Sequence, residues 1–490
     1  MINSLQHFEA NGIKNMNKII EKFMKNPTDM ASFVEGVRDE VINLGLSIIQ
    51  ETLEECNQFL CDSPRRKRDW EIVKTDSKDL LTGLGAITFK KTLFKEKTTG
   101  KREYLLDRIM GFEKGERITE DAKAMLLTEA VQTSYRRGGE GASLTDSVSK
   151  QTVMKQLHKL KFPPLKAPLN KRKVEHLYID ADEDHVSLQF QEKKGDLTTN
   201  RNNYKNNTIL SKLIYVYEGI EQVAPLSKAQ KPRNRLINKK YFSGTYEGKD
   251  NESLWKEVFQ YIEQTYDTES IKKIYLNADG GAWIKAGQRQ MSGVTYVLDE
   301  YHLNKYLFKM TSHMLDSTGE AQRELRAALR TGTKAQFESI VLRLMNCSIN
   351  ESTVRRIEES SKYILSNWTA AKIRLTKEDS VMGCSAEGQV SHILSSRMSS
   401  RPMGWSRIGT DKMSQLRAYY CNSRDMLELV RYQKKELPKA VGFENDILSG
   451  YEIKQSEQRS KFGKYYDSMN HHLNLDSKKK LWFRSHIAGL

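Results

Sequence analysis

Hydrophobic and polar positions alternate at the start of the stretch IKKIYLNADGGAWIKAGQRQMSGVTYVLDEYHLNKYL, residues 271–307. Ile274, Leu276 and Ala278 fall on one face and Tyr275, Asn277 and Asp279 on the other, the period of a half-buried strand. Gly280 and Gly281 break the pattern directly after Asp279. A second apolar run, 294–298, ends in Asp299, with His302 three residues further on. Two neighbouring strands that each end in Asp predict carboxylates gathered at one sheet edge, where α/β folds usually bind ligands. The plainer reading makes Asp279 a turn residue and Asp299 the N-cap of a helix starting at Glu300.

Upstream, residues 1–62 read as helical. Val34, Val37, Val41, Leu44 and Ile48 follow a heptad-like spacing, continued by Leu53, Cys56 and Leu60. Such a stripe suits either a core or a dimer seam. The basic cluster 64–68 reads as a boundary, either a solvated linker or a contact to phosphates. From 70 to 107 the texture is β, with runs at 86–93 and 102–106 flanking a turn at 97–100 to give a hairpin with a basic surface.

Helical character returns at 119. One helix spans 125–135, a short one is possible at 143–147, and Ser149 is a natural N-cap for 150–160. Val153, Leu157 and Leu160 share one face there, leaving Lys150, Gln151 and Lys155 outward. Three helices of this kind fit a helix-turn-helix with a reading helix in the major groove, although many small bundles look the same.

The run HLYIDADEDHVSLQF, 176–190, sets Leu177, Ile179 and Ala181 on one face and Tyr178, Asp180, Asp182 and Asp184 on the other. Stacked carboxylates on one strand face repel unless cations neutralise them, so the pattern points to a function. A solvent-facing edge strand is the alternative. A polar loop at 192–208, an apolar strand at 210–223 and an amphipathic helix at 254–266 follow. The order strand, strand, strand, helix, strand, helix, strand is that of a ribonuclease-H-like α/β fold, an antiparallel trio joined to parallel strands through helices.

Beyond His302 successive apolar stripes predict a helical bundle: Ala321, Leu325, Ala328 and Leu329, then Phe337, Ile340, Val341 and Leu344, then Val354, Ile357, Ile364 and Leu365. Helical periodicity resumes after Gly383, with Glu387 near a helix start and Arg397, Arg401 and Trp405 behind it. The tail carries Lys478, Lys479, Lys480 and Arg484 beside Trp482 and Phe483, a composition that suits nucleic-acid backbone.

Charge narrows the class. Lys plus Arg outnumber Asp plus Glu 79 to 63 over 490 residues, a net charge of +16 that points to a polyanionic partner, nucleic acid before a membrane surface. No run of 18 apolar residues predicts a membrane span, and the N-terminus lacks the apolar region of a signal peptide. Five scattered cysteines lack paired metal-ligand spacing and fit a reducing compartment, so a soluble intracellular protein that holds nucleic acid is expected.

Carboxylates from distant parts of a chain can hold two Mg²⁺ ions about 4 Å apart and clamp an in-line phosphoryl transfer. Asp182, Asp279 and Glu387 are the expected ligands, with Asp279 bridging, and Asp180 and Asp184 share the face of Asp182. The motifs ADEDHVSLQ (181–189), NADGGAWIK (277–285), VLDEYHLNKYL (297–307) and SAEGQVSHILSSRMSSRPMGWS (385–406) resemble those of bacterial insertion-sequence DDE transposases of the ISLre type, distantly similar to the Mutator-like group.

The resemblance implies a ribonuclease-H-like core with a helical insertion before the catalytic Glu, dependence on Mg²⁺ or Mn²⁺, and cleavage and joining of element ends. It matches Asp299-x-x-His302 to a signature found after the second catalytic Asp in several such families. His302 is expected near the active site, contacting a phosphate or orienting Asp299 without binding metal. The expected division is a helical region at 1–66, a hairpin and helix-turn-helix DNA-binding region at 67–165, and the first part of the core at 172–307. The insertion then fills 308–383, the rest of the core 384–425, and a basic helical tail 426–490. Arg397, Arg401 and Trp405 join Lys150, Gln151 and Lys155 as expected DNA contacts. The partners would be double-stranded DNA, as terminal repeats and target, and further copies of the chain. The alternatives are a non-catalytic DNA-binding regulator and a nuclease that cuts DNA without joining it.

Overall fold

A computed structural model of the chain describes residues 2–456 apart from 166–167, 200–202, 204, 224–232, 291–292, 349, 377–379, 423–424 and 435–442. The basic aromatic tail at 478–484 lies outside the described residues. The chain divides into two units, one of 1–126 with 140–148 and 433 onward, the other of 127–139 with 149–432.

In the first unit α1 (Ile2–His7) runs through a π-helical turn into α2 (Ile13–Lys25). Asp29 caps α3 (Met30–Asp62) by accepting from the Ser32 N–H at 3.2 Å. Leu46, Ile49, Leu53 and Cys56 of α3 pack on the unit's core, whereas Val34 and Val41 are more than half exposed. The heptad-like stripe is therefore core only in its second half. Ser63 caps α4 (Pro64–Asp69), with Pro64 in the first turn, where a missing N–H costs nothing. The basic cluster is thus a helix with Arg66 buried, not a solvated linker.

The hairpin of β1 (Trp70–Leu81) and β2 (Ala86–Glu96) is longer than its sequence pattern predicts, and β3 (Arg102–Glu103) adds a short strand across the turn at Gly100. Charged residues interrupt β1 and hide its alternation; pairing with β2 overrides that weak propensity. Lys78 and Lys91 both turn inward onto Asp107, so the hairpin is less basic outside than its composition implies. Leu105 and Leu106 of α5 (Leu105–Ile109) close the core over Leu60, Phe89 and Phe94. The helix α6 (Glu120–Gln132) then carries the chain into the second unit.

After the end of α6 that unit takes in α7 (Tyr135–Glu140) as far as Gly139, and then α8 (Lys150–Lys159). A sheet of five strands follows. It consists of β4 (His176–Ser187), β7 (Thr208–Tyr217), β10 (Lys240–Gly244), β11 (Lys273–Ala278) and β12 (Val294–Leu298). Between β4 and β7 lies the minimal hairpin β5 (Thr198–Thr199) and β6 (Lys205–Asn206); between β7 and β10 lies β8 (Gly219–Val223) with β9 (Arg233–Ile237). The apolar run 210–223 is thus two strands, broken at Glu218. Across the sheet the order is β10-β7-β4-β11-β12, antiparallel as far as β4 and parallel from β4 to β12. The helices α9 (Asn251–Thr265) and α10 (Ala282–Gln290) make the two connections that lead into the parallel strands.

One face of the sheet, with Leu177, Ile179, Ile214, Val216 and Leu276, packs on Trp255, Val258 and Ile262 of α9 and on Ile284 of α10. Each such fully buried aliphatic side chain stabilises by about 1.5–3 kcal/mol. The opposite face is also buried. Tyr178 stacks on Tyr217 and Tyr275 at 5.3 and 5.6 Å, and Tyr275 and Asn277 are about as buried as the apolar face. Being central, β11 is covered on both sides, so the half-buried strand of the sequence reading becomes a fully buried one.

After β12 come α11 (Glu300–Thr311), α12 (Thr318–Thr331), α13 (Lys334–Asn346), α14 (Glu351–Ser366) and α15 (Trp368–Thr376). Leu303, Leu307, Leu325, Leu329, Phe337, Val341, Ile357 and Ile364 form their shared core, as the 3.6-residue stripes require. The chain returns through α16 (Ala386–Val390), a π-helical turn at Ser391–Ser395, α17 (Ser396–Met398), α18 (Arg407–Cys421) and α19 (Met426–Tyr432). Among the described residues no helix is long and apolar enough to cross a membrane.

Candidate active site at the ends of the parallel strands

Ala181, Ala278 and Leu298 are register partners across the three parallel strands. The next residue on each is an aspartate: Asp182, Asp279 and Asp299. Chain parity on β4 and strand endings on β11 and β12 thereby gather three carboxylates at one sheet edge. Asp279 is followed by Gly280 at φ +92°, a left-handed turn that glycine adopts without strain. The Gly281 N–H donates to Asp279 Oδ1 at 2.9 Å, and the Tyr363 hydroxyl of α14 donates to the Asp279 carbonyl.

The three aspartates of β4 have different roles. Asp180 is fully buried and accepts from Tyr215 and Tyr217 hydroxyls at 2.6 and 3.2 Å, Asn277 Nδ2 at 2.7 Å and the Ser385 N–H at 3.1 Å. Burial raises its pKa above the ordinary carboxylate value, against the pull of those four donors. Asp184 accepts from the Ser399 hydroxyl with both oxygens, at 2.8 and 2.9 Å. Asp182, half-buried between them, bonds among the described residues only to the N–H of Glu183, at 2.8 Å. Burial pushes its pKa up to about 7, and the neighbouring charge of Asp279 adds to the rise. Of the three it is the one whose carboxylate is not already committed to the fold.

Asp299 lies between the end of β12 and the start of α11. It caps α11 by accepting from the His302 N–H at 3.3 Å, and the His302 ring donates from Nδ1 at 3.0 Å. Burial pushes Asp299 up, but the ring and backbone donors of His302 outweigh it and hold the carboxyl below its ordinary value. His302 is raised by Asp299 first, and further by the charges of Asp279 and Asp182, which sets it beside all three. Glu183, on the opposite face of β4, accepts from the Trp283 indole N–H and also feels Asp279.

Glu387 is not brought into this group. It is exposed in the first turn of α16 and among the described residues its side chain makes no hydrogen bond or ion pair, although Ser385, two residues earlier, is fastened to Asp180. Among the described residues no cluster of three or more His, Cys, Asp or Glu is arranged to hold a metal ion. What is present is a pair of hard carboxylates, Asp182 and Asp279, whose mutual repulsion a cation would relieve. That donor chemistry fits Mg²⁺ or Mn²⁺, and Mg²⁺ usually takes only one or two carboxylates and completes its shell with water and substrate phosphate.

A family model described as an uncharacterised protein family, UPF0236, matches residues 23–436. The chain belongs to UPF0236. A UPF0236 protein of Caldanaerobacter subterraneus subsp. tengcongensis is 34% identical over 452 residues, covering 92% of this chain and 90% of its own length, and its name joins eleven designations. A second from the same organism, whose name joins four, is 32% identical over 455 residues, covering 92% and 90%. Among solved structures, the Drosophila P element transposase strand transfer complex is weakly similar, at 10% identity and a TM-score of 0.22 over 69% of this chain and 93% of that one.

In this UPF0236 chain the expected DNA contacts fare unequally. Lys150, Gln151 and Lys155 are exposed, and Ser149 caps their helix by accepting from the Thr152 N–H at 3.2 Å. However, α8 packs mainly on α18 instead of closing a three-helix unit with α6 and α7. Arg397 is 5% exposed, donates to the Ala130 carbonyl at 3.0 Å and lies over the Trp405 ring, while Trp405 is 6% exposed and donates to the Met398 carbonyl at 2.9 Å. Both are held inside the protein, which corrects their assignment as DNA contacts; Arg401 is exposed. Sequence reading missed Arg374, Tyr363 and Trp283. No local pattern distinguishes them, because each matters through a partner about 76–100 residues away.

Proposed function

We propose that this protein is a DNA transposase of the DDE type, built on a ribonuclease-H-like core, that cuts and joins the ends of an insertion sequence with Mg²⁺ or Mn²⁺. One observation carries the reading: Asp182 within β4 and Asp279 and Asp299 at the ends of β11 and β12 each follow register partners on adjacent parallel strands, in a chain of net charge +16. A basic protein that collects carboxylates at one edge is equipped to bring a polyanion and a cation together. The strand order supports the fold: numbered in chain order, the strands of the central sheet lie as third, second, first, fourth and fifth across it. The multiple designations under single relatives' names suit a coding sequence present in many copies, as a mobile element is.

In this reading Asp182 and Asp279 hold the ion, and Asp279 keeps its geometry through Gly281 and Tyr363. When bound, two Mg²⁺ ions would supply charge stabilisation to the attacking and leaving oxygens of a phosphoryl transfer. His302 has its Nδ1 fixed by Asp299, and the carboxylates around it raise its pKa and so favour the protonated ring that a phosphate would attract. Glu387 is the candidate for a third ligand, and Ser385, two residues before it, is bonded to Asp180 of β4. Exposed Lys150, Gln151, Lys155 and Arg401 would hold DNA, with further copies of the chain pairing the two ends.

A second reading, a non-catalytic DNA-binding regulator, is favoured by the exposure of Glu387. Incubation of purified protein and Mg²⁺ with DNA carrying the element's own ends separates the readings. A transposase gives cut ends and joined products, a nuclease cut ends alone, and a regulator a shifted but intact duplex.

A further inference from the structure

We propose that Arg374 is a positioning residue that fastens the three separate segments bearing Asp279, Asp299 and Glu387 to one another. The inference rests on the proposed site. Arg374 sits in the last turn of α15 and is 4% exposed. Its Nε donates to the Leu298 carbonyl at 2.9 Å, one residue before Asp299. Its Nη2 donates to Asn277 Oδ1 at 2.7 Å, two residues before Asp279. Its Nη1 donates to the Met382 carbonyl at 2.6 Å, on the segment of chain that leads to Glu387. The planar guanidinium, with donors in a fixed fork, is the side chain able to serve three acceptors at set angles; an ammonium is a point donor on a flexible stem.

The same relay reaches β4. Asn277 passes a hydrogen bond from its Nδ2 to Asp180 Oδ1 at 2.7 Å, and the other oxygen of Asp180 accepts from the Ser385 N–H. The returning chain is therefore pinned at 382 by Arg374 and at 385 by Asp180, and the two pins are joined through Asn277. Among the described residues no carboxylate bonds Arg374 directly, so its desolvated charge is not there to complete an ion pair. Its three carbonyl acceptors fix register between the helical bundle and the strand ends. A partner that orients ligands in this way typically changes metal affinity or activity about 10- to 100-fold when removed.

Arg374→Lys keeps the buried charge and reaches fewer acceptors. The folded variant should bind Mn²⁺ about 10- to 100-fold more weakly by electron paramagnetic resonance, and its Ser385 amide should exchange hydrogen faster than in the wild type. Wild-type Mn²⁺ affinity with wild-type Ser385 protection would overturn the proposal. If Arg374→Lys fails to fold, Asn277→Ser removes one acceptor of the guanidinium and the link to Asp180 while leaving Arg374 and its two backbone acceptors in place, and it must give the same two changes; their absence overturns the proposal equally. Wild-type protein that takes up no Mn²⁺ would instead remove the metal reading, and Ser385 exchange would then decide the anchoring role alone.

Discussion

Asp182 and Asp279 stand one residue beyond the register partners Ala181 and Ala278, the first within β4 and the second just past the end of the adjacent parallel strand β11. The consequence for the metal-free protein is a pH-dependent strain. Burial holds Asp182 protonated up to about pH 7, whereas its ordinary value is 3.8. The folded state therefore binds more protons than the unfolded state between those values. This stabilising contribution is complete below the unfolded pKa and lost as pH rises through the folded one. His302, raised by Asp299, has the same sign.

Thermal unfolding in the presence of a chelator should thus show falling stability as pH climbs from about 4 to about 7. Asp182→Asn should flatten that slope, and Mg²⁺ should raise the melting temperature most at the alkaline end. A slope that survives Asp182→Asn would assign it to another group.

Gly280→Ala should damage both fold and site. An added Cβ would lie 2.8 Å from Asn367 Oδ1 and 2.9 Å from the Tyr296 hydroxyl, at a backbone φ of +92° that disfavours any side chain. A loss of about 1–3 kcal/mol in urea unfolding is expected, together with slower cleavage. Unchanged stability would mean that the turn relaxes freely.

The sheet edge was readable from sequence because Asp182 sits on a period-two strand, Asp279 and Asp299 close apolar runs, and two glycines follow Asp279. The apolar stripes of the helical bundle were readable for the same reason, their period of 3.6. What escaped depends on long-range pairing. Nothing local says that Tyr275 and Asn277 face a second buried layer, or that Arg397 stacks on Trp405 in the interior instead of reaching DNA. Likewise the choice among Asp180, Asp182 and Asp184 needs the hydroxyls of Tyr215 and Ser399, which commit two of the three.

His302→Ala should slow cleavage while leaving Mn²⁺ affinity near wild type, because the ring addresses Asp299 and Mg²⁺ or Mn²⁺ prefers oxygen ligands. Calorimetric titration of Mn²⁺ beside a cleavage time course checks this. A large fall in affinity would make His302 a ligand.

Lys150→Ala with Lys155→Ala should weaken DNA binding and reduce the salt slope of log Kd by about two, one for each phosphate that a lysine no longer neutralises. Fluorescence anisotropy at several salt concentrations reads both quantities. Wild-type affinity and slope would move the DNA surface away from α8.

The central claim is that the carboxylates gathered at the sheet edge, Asp182 and Asp279 first, support metal-dependent cutting of DNA. Its most direct test is the Mg²⁺-dependent cleavage rate on DNA bearing the element's ends, compared between the wild type and Asp279→Asn. The variant should fold, bind the ends with wild-type affinity and lose cleavage by at least about 100-fold, as expected when a group that stabilises transition-state charge is removed. Cleavage by Asp279→Asn at the wild-type rate would contradict the claim.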